Sequence, residues 1–191
     1  ITAISQVDGV DLAAVVEPGA MQQPVPVFKS LREMFDAIVV DGVILSTPTL
    51  LHVEGAMECV QRGVPVLIEK PLAASAEDAQ QLIDVARGKG VQLLVGHHRR
   101  HNPIIQKTAQ LINDGAIGQV RAAQVTCWFY KPDDYFEAAP WRKKAGAGPI
   151  SVNLVHDVDL MRHFLGEVVT VQAQMAPSLR GFENEDLAAT V

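Results

Sequence analysis

The sequence predicts an α/β fold, with a doubly wound parallel sheet followed by a second domain of different architecture. Two observations predict the sheet: short, wholly apolar runs recur along the first half of the chain, and amphipathic helical patterns separate them. A third observation marks the second domain, because this alternation stops after His101 and residues 120–130 form a longer run rich in β-forming residues. We place the boundary near residue 100, which gives domains 1–100 and 101–191.

Each element of the first domain has its own local signal. Apolar runs predict five strands, at residues 12–16, 27–28, 42–46, 64–68 and 91–95. Ser30 and Glu33 form a capping box, so a helix begins there. Thr49 is a candidate N-cap for a second helix, and Ser75 begins a third.

The second domain alternates helices with longer strands. Asn102 followed by Pro103 combines an N-cap with proline at the first helical position, which predicts a helix to about Asn113. The run at 120–130 predicts an antiparallel strand with one exposed face. A polar, aromatic loop, a further helix and two strands are expected at 131–149, 152–165, 168–175 and 187–191.

Composition excludes several classes of protein. The 191 residues carry a net charge of −6, which does not suit a nucleic-acid partner. No apolar stretch is long enough to span a bilayer, so no membrane is expected. Cys59 and Cys127 lack metal or disulfide spacing, which indicates a reducing compartment and a cytoplasmic location. The chain begins and ends within expected elements, so we expect it to be truncated at both ends.

A lysine and a histidine carry the predicted chemistry. Glu69-Lys70-Pro71 directly follows a buried strand, at the carboxyl edge where open α/β sheets gather ligands. His156 lies at the start of a later helical pattern. A lysine and a histidine that meet in space can take a proton from a hydroxyl while hydride leaves the same carbon. The alternatives are a surface lysine and a histidine on a helix face.

An acidic residue after the first strand indicates a dinucleotide. Glu17 ends that strand, where a carboxylate can accept hydrogen bonds from ribose hydroxyls. Because a carboxylate repels a 2′-phosphate, NAD is favoured over NADP. The alternative for Glu17 is a solvated turn residue.

Further polar residues are candidates around these positions. Asp159, three residues after His156, either orients that ring or is an ordinary helix-face carboxylate. Trp141 and Arg142 either contact a polyhydroxylated substrate or anchor a loop. We expect His97 near a nicotinamide, and His98 and Arg99 along a cleft. No metal site is expected at His97, His98 and His101 or at His156, Asp159 and His163, because neither cluster has cysteine or a clear fourth ligand.

Several motifs occur in an order that identifies a family. They are Ser46-Thr47-Pro48 with His52, Glu69-Lys70-Pro71, Gly96-His97, Trp141-Arg142, and Gly148 through His156-Asp157-Val158-Asp159. In this order the sequence resembles the glucose–fructose oxidoreductase/inositol dehydrogenase (Gfo/Idh/MocA) family, over essentially the whole chain.

The resemblance implies a fold and an activity. It implies an N-terminal Rossmann domain and a C-terminal α+β domain with a mostly antiparallel sheet, which together transfer hydride between a sugar or polyol hydroxyl and NAD(P). Lys70 would hold the reacting hydroxyl, His156 would be the general base or acid, and the Lys70-Pro71 bond would be cis. Residues implied at the cofactor are Ser46, Thr47, Pro48, His52, Glu69, Lys70 and His97. Residues expected at the substrate are Lys70, His98, Arg99, Trp141, Arg142, Asn153 and His156.

Two departures from the family pattern matter. The glycine-rich loop that binds the pyrophosphate does not occur here, so we expect the first strand and its phosphate loop to be missing. Val152 stands where inositol dehydrogenase-like members often carry aspartate, and Asn153 is the nearest polar group.

Two other functions stay open. One is an NAD-dependent glycosidase that works by transient oxidation, and the other is a non-catalytic cofactor-binding sensor. For each of these functions we expect a homodimer or homotetramer, because the exposed sheet of the second domain must be covered or polar.

Overall fold

Parallel strand pairs organise the first of the two units into which the chain divides, Ile1–Val95. A computed structural model describes all of residues 1–191. Its parallel strands are β1 Val15–Val16, β2 Val27–Phe28, β3 Val43–Leu45, β4 Val66–Ile68 and β5 Leu93–Val95. β1 pairs with β2, and a separate sheet has the order β3-β4-β5. The predicted parallel α/β architecture is therefore confirmed, with strands shorter than the apolar runs.

Helices connect these strands and end where the sequence indicates. They are α1 Leu31–Ala37, α2 His52–Gln61 and α3 Ala76–Lys89. Ser30 Oγ accepts a hydrogen bond from Glu33 N at 3.2 Å, and Ser75 Oγ accepts one from Asp78 N at 3.1 Å. Thr49 was expected to cap α2 but instead begins a 3-10 turn, Thr49–Leu51, that leads into the helix. Gly90 ends α3 at a φ of 67°, a conformation that glycine adopts without strain.

The core of the first unit lies where α2 packs against β3, β4 and α3. The buried cluster consists of Leu45, Ala56, Cys59, Val60, Val66, Ile68, Leu82 and Ala86. Burial and the charge of Glu58 raise the pKa of the Cys59 thiol to about 11, so this cysteine is a packing residue. The core fixes the carboxyl ends of β3 and β4, and two loops begin there.

The second unit, Gly96–Val191, contains three helices and an antiparallel pair. These elements are α4 Pro103–Asn113, α5 Asp133–Glu137, α6 Val155–Leu165, β6 Ala173–Pro177 and β7 Glu185–Thr190. Asn102 Oδ1 accepts from Ile104 N at 2.9 Å, which confirms the predicted cap of α4. A π-helical turn, Ile150–Leu154, leads directly into α6. None of the helices in the two units combines the length and apolar character that a bilayer crossing requires.

The strand expected at 120–130 does not form. These residues lie outside regular secondary structure, and Trp128 and Tyr130 are 79% and 84% exposed. A strand needs a neighbour for its backbone N–H and C=O groups, and no segment of residues 1–191 pairs with this one. The prediction of a strand with one exposed face is therefore wrong, because the segment has no pairing partner and almost all of its side chains are exposed.

Candidate active site

Two neighbouring loops leave the carboxyl ends of β3 and β4. Leu45 and Ile68 are register partners at those ends, and Glu69 N donates to Leu45 O at 2.9 Å, so the ladder continues into the second loop. The first loop begins with the exposed residues Ser46, Thr47 and Pro48. The structure therefore brings these three residues to the same sheet edge as Glu69 and Lys70.

Lys70 lies one residue beyond the exposed Glu69. The Lys70–Pro71 peptide bond is cis, as the resemblance implied. Lys70 N donates to Glu69 Oε2 at 3.2 Å, and the lysine side chain is half-buried. Lys70 is therefore a half-buried residue at the carboxyl edge of the sheet, where open α/β sheets bind their ligands.

His52 has a different place from the one expected. It begins α2, is 1% exposed, and lies with Nδ1 2.8 Å from Pro71 O and Nε2 2.8 Å from Thr47 O. Both ring nitrogens face backbone carbonyls, so the ring has no polar atom left to offer a dinucleotide. His52 therefore links the two loops, and its ring is not available for the direct cofactor contact that the resemblance implied.

Glu17 directly follows β1, and its side chain is half-buried. Its backbone N–H donates to Phe28 O at 2.9 Å, which extends the β1–β2 ladder, and its Oε1 accepts from Gly19 N at 2.8 Å. The ammonium of Lys29 donates to Gly19 O at 2.8 Å and so closes the same turn. A carboxylate has acceptor sites beyond the one that Gly19 uses, so this geometry fits the vicinal hydroxyls of a ribose.

In the second unit, His156 is buried in the first turn of α6. The ring of His98 meets it edge to face, with centroids 5.1 Å apart and planes at 70°. His98 belongs to a 3-10 turn, His98–His101, that packs against α6. His98, expected along a cleft, is thus in contact with the predicted general base.

Asp159 is a buried carboxylate on α6, and Arg100 of the 3-10 turn His98–His101 binds it. Arg100 donates to it through two nitrogens, at 2.6 and 2.8 Å, and His97 Nδ1 lies 3.8 Å from Oδ2. Burial raises the pKa of the Asp159 carboxyl, but the hydrogen bonds from Arg100 and the charges of His97, Arg100 and Arg162 outweigh burial, so the pKa lies below its ordinary value. Asp159 therefore stays negative beside His97 and within one turn of His156.

Arg99 is also engaged by α6. It donates to Asp157 Oδ1 at 2.8 Å, and both side chains are half-buried. Burial, together with the charge and a hydrogen bond of Asp157, raises the pKa of the Cys127 thiol above its usual range. Asp157 thus neutralises the guanidinium that was expected to contact substrate.

Trp141 and Arg142 lie in a 3-10 turn, Pro140–Lys143. The Arg142 guanidinium lies 4.0 Å from the ring centroid of Tyr135 and donates to Tyr135 O at 2.7 Å, while Asn184 Nδ2 donates to Arg142 O at 2.8 Å. Of the two alternatives, these contacts favour a loop anchor for Arg142. Trp141 is 46% exposed, and Asn153 is half-buried in the π-helical turn.

Arg100 is the residue that sequence analysis missed. The signal was present as opposite charges in two segments: a basic run at 97–101 and two carboxylates, Asp157 and Asp159, on one helix. The long separation along the chain concealed the pairing.

No group of three or more His, Cys, Asp or Glu side chains in residues 1–191 is arranged to hold a metal ion.

Comparison with known proteins assigns both halves of the chain to one family. The model of an oxidoreductase family with an NAD-binding Rossmann fold (GFO_IDH_MocA) matches residues 1–97. The model of a GFO/IDH/MocA C-terminal domain matches residues 105–191.

Individual relatives are about 30% identical to this chain over the aligned residues. A scyllo-inositol 2-dehydrogenase (NADP(+)) of Bacillus subtilis is 32% identical over 84% of this chain and 44% of its own length. A 2,7-anhydro-N-acetylneuraminate hydratase of Escherichia coli is 30% identical over 82% of this chain and 43% of its own. The WlbA dehydrogenase from Bordetella pertussis, solved with NADH and UDP-GlcNAcA, superposes with a TM-score of 0.90 at 29% identity, over 100% of this chain and 58% of that one. The chain thus spans about half the length of these relatives.

Proposed function

Because the chain belongs to the GFO/IDH/MocA family of oxidoreductases, whose Rossmann fold binds NAD, we propose that it transfers hydride between NAD and a hydroxyl-bearing carbon of a sugar or polyol. The observation that carries the proposal is the position of Lys70. Its ammonium follows β4 at the carboxyl edge of a parallel sheet, beside the loop that follows β3. We also assign cofactor binding to residues 1–100, and substrate binding and oligomerisation to residues 101–191.

The cofactor would be held mainly by residues at strand ends. Glu17 would accept hydrogen bonds from the adenosine ribose, and its charge would disfavour a 2′-phosphate, so NAD is preferred to NADP. Candidates for the remaining contacts are Ser46, Thr47, Pro48, Glu69, Lys70 and His97. When bound, the nicotinamide supplies the hydride acceptor.

The side chains of this chain would move the proton. Lys70 Nζ would donate to the substrate hydroxyl oxygen and stabilise its growing negative charge. His156 would accept the hydroxyl proton as general base. Asp159, kept ionised by Arg100, would favour the charged form of a nearby imidazole. In the reduction direction the same two groups would return the proton.

The test is kinetic. Lys70→Met and His156→Ala should each lower kcat/KM by about 10²–10⁴-fold, because each removes a group that acts in proton transfer. Lys89→Met and His101→Ala are matched controls at exposed positions and should leave kcat/KM within about twofold. Wild-type turnover in either Lys70→Met or His156→Ala would refute the assignment.

The substrate class rests on relatives and on the residues near His156. One relative is named for scyllo-inositol, and one structural neighbour holds UDP-GlcNAcA, so polyhydroxylated rings are the first compounds to assay. Candidate substrate contacts are His98, Arg99, Trp141, Arg142 and Asn153. Val152 offers no carboxylate to a hydroxyl, which favours a substrate range different from that of relatives with aspartate there.

A second candidate is a reaction without net redox change. The relative named as a hydratase favours it, because hydration consumes no oxidant. Cleavage of a glycosidic bond by transient oxidation belongs to the same class. Product formation without accumulation of NADH would select this alternative over a dehydrogenase.

A cofactor-binding sensor is the remaining alternative. It would bind NAD and turn over no sugar or polyol, and Lys70→Met would then leave its partner binding unchanged.

We further propose assembly into a homodimer or homotetramer and a cytoplasmic location, the latter because Cys59 and Cys127 are both free thiols.

A further inference from the structure

We propose that Glu185, on a distant strand, caps the helical run that carries His156 and is therefore a positioning residue for the reaction. Glu185 is the first residue of β7, and the helical run 149–165 comprises the π-helical turn and α6. The positioning role rests on the proposed function, because it concerns what His156 does. The cap itself follows from the geometry of the second unit alone.

The helical run begins without a cap from its own side chains. Pro149 already has helical dihedral angles, with φ at −59° and ψ at −25°, and Val152 N donates to Gly148 O at 3.1 Å. The run therefore starts directly after Gly148, which has no side chain that could accept a hydrogen bond. The first N–H groups of a helix have no partner within it, so an acceptor must come from elsewhere.

Glu185 supplies that acceptor. Its Oε1 accepts from Ile150 N at 3.1 Å, although 35 positions separate the two residues along the chain. A Cβ added to Gly148 would collide with the Glu185 carboxylate, and the three atoms that it would meet first all belong to that carboxylate. The glutamate therefore occupies the space in which the side chain of an ordinary N-cap residue would lie. A negative charge there also interacts favourably with the positive end of the helix dipole.

The two residues before Glu185 hold the segment that leads into the helical run. Glu183 N donates to Lys143 O at 2.9 Å, and Asn184 Nδ2 donates to Arg142 O at 2.8 Å. Asn184 is buried, so its hydrogen bond is shielded from water. Three successive residues thus bind the same segment, and the backbone that carries the Glu185 side chain is fixed beside the helix start.

The cap bears on His156 because the helical run is continuous. His156 is the second residue of α6 and lies six residues after Ile150. A helix end without its cap frays over its first turn. Loss of the Glu185 carboxylate would therefore loosen the backbone that aims the imidazole, without removing any atom of the imidazole itself.

A double-mutant cycle in urea unfolding tests the cap. Glu185→Ala should raise the unfolding equilibrium constant by about fivefold, the usual effect of a lost N-cap. Gly148→Ala should have a similar effect, because its methyl group displaces the carboxylate; Gly148 has no positive φ, so alanine adds no backbone strain. The double variant should be no less stable than either single variant. Glu137→Ala, at an exposed glutamate of the same unit, should match wild type. Additive losses in the double variant would overturn the cap.

Hydrogen exchange on the wild-type chain tests the cap without any variant. The start of α5 has no side-chain cap, and Asp134 there is exposed. After correction for the neighbouring side chains, the Ile150 amide should exchange at least about tenfold more slowly than the Asp134 amide, because only Ile150 N has a side-chain acceptor. Equal exchange of the two amides would overturn the cap.

Kinetics and a rescue variant test the positioning role. Under conditions where every variant is folded, Glu185→Ala should lower kcat by about tenfold and change KM little, because a misplaced general base is felt in the transition state. Gly148→Ser in the Glu185→Ala background should restore most of kcat, since serine is a good N-cap and no carboxylate then blocks it. Unchanged kcat in Glu185→Ala, with an active wild type, would overturn the positioning role alone. An inactive wild type would refute the proposed function and the positioning role together, while the unfolding cycle and hydrogen exchange would still decide the cap.

Discussion

At the scale of single residues, charge pairing across a long sequence separation builds the surroundings of His156. Arg99 and Arg100 bind Asp157 and Asp159, which lie on α6. A buried carboxylate is tolerated only when it is paired and hydrogen-bonded, and Arg100 meets Asp159 with two donors. The turn that carries His98 is thereby fastened to the helix that carries His156.

The lowered pKa of Asp159 predicts a defined dependence of stability on pH. Because the folded-state pKa lies below the unfolded value of about 3.9, the ionised carboxylate stabilises the folded state above roughly pH 4. That stabilisation is lost as the pH falls through the folded-state pKa. We expect wild type to be more stable than Asp159→Asn from pH 7 to 5, with the difference shrinking below pH 4, in urea unfolding series.

A control separates this effect from general acid sensitivity. Asp8→Asn removes an exposed carboxylate near the N-terminus, and its unfolding free energy should track wild type at every pH. A difference between wild type and Asp159→Asn that grows as the medium is acidified would contradict the assignment of the shift.

Single candidate residues were predictable from the sequence, but their partners were not. Lys70 and Glu17 were predictable because each directly follows a recognisable strand. Arg100 was not, since its partner lies 59 positions along the chain and only the fold brings them together. The burial of His52 was equally hidden, because a histidine four residues after Thr47-Pro48 can face a ligand as readily as two carbonyls.

At the scale of elements, local capping chemistry determines where α1 and α3 begin. The Ser75 hydroxyl accepts from Asp78 N at 3.1 Å and donates to Asp78 Oδ2 at 2.7 Å. Both contacts lie at the start of α3, which packs against α2. The cap therefore supports a helix on which the core of this unit depends.

Removal of that cap should weaken the first unit. Ser75→Ala leaves an amide at the helix start without its acceptor and should lower the unfolding free energy by about 1 kcal/mol. Ser75→Asn should restore most of the loss, since asparagine is also a good N-cap. Urea unfolding measures both, with the exposed Ser5→Ala as a control within about 0.5 kcal/mol of wild type. An equal loss in Ser75→Ala and Ser75→Asn would point to packing instead.

Elements with local signals were predictable, and elements that need a distant partner were not. Apolar runs and caps located β3, β4, β5, α1 and α3 to within a few residues. The expected strand at 120–130 failed because pairing depends on a neighbour that composition does not reveal. Its β-forming residues are exposed instead.

At the scale of the whole molecule, the two units differ in how much apolar surface they cover. The first has a continuous buried cluster, whereas large apolar side chains of the second, such as Trp128, Tyr130 and Val169, are 79%, 84% and 93% exposed. Large exposed apolar side chains are the usual contacts where such a surface meets another protein. It supports the proposed assembly of this chain with copies of itself.

Association should therefore be sensitive to charge on the second unit. We expect sedimentation velocity to show concentration-dependent association that Trp128→Lys weakens by about tenfold or more, since buried aromatic anchors dominate interface energies. Val39→Lys, at a position of the first unit that is 97% exposed, should leave association unchanged. A monomer at all concentrations, or equal behaviour of the two variants, would refute the proposed assembly.

The π-helical turn Ile150–Leu154 has a geometric consequence for any comparison of this segment with relatives. One additional residue in a helical turn rotates everything on one side of it by about 100° relative to the other. A helical wheel drawn for an uninterrupted α-helix over residues 150–165 would therefore place Asn153 on the wrong face relative to His156. Deletion of one residue within the wide turn would restore ordinary winding and reorient the upstream side chains, while the downstream imidazole kept its orientation.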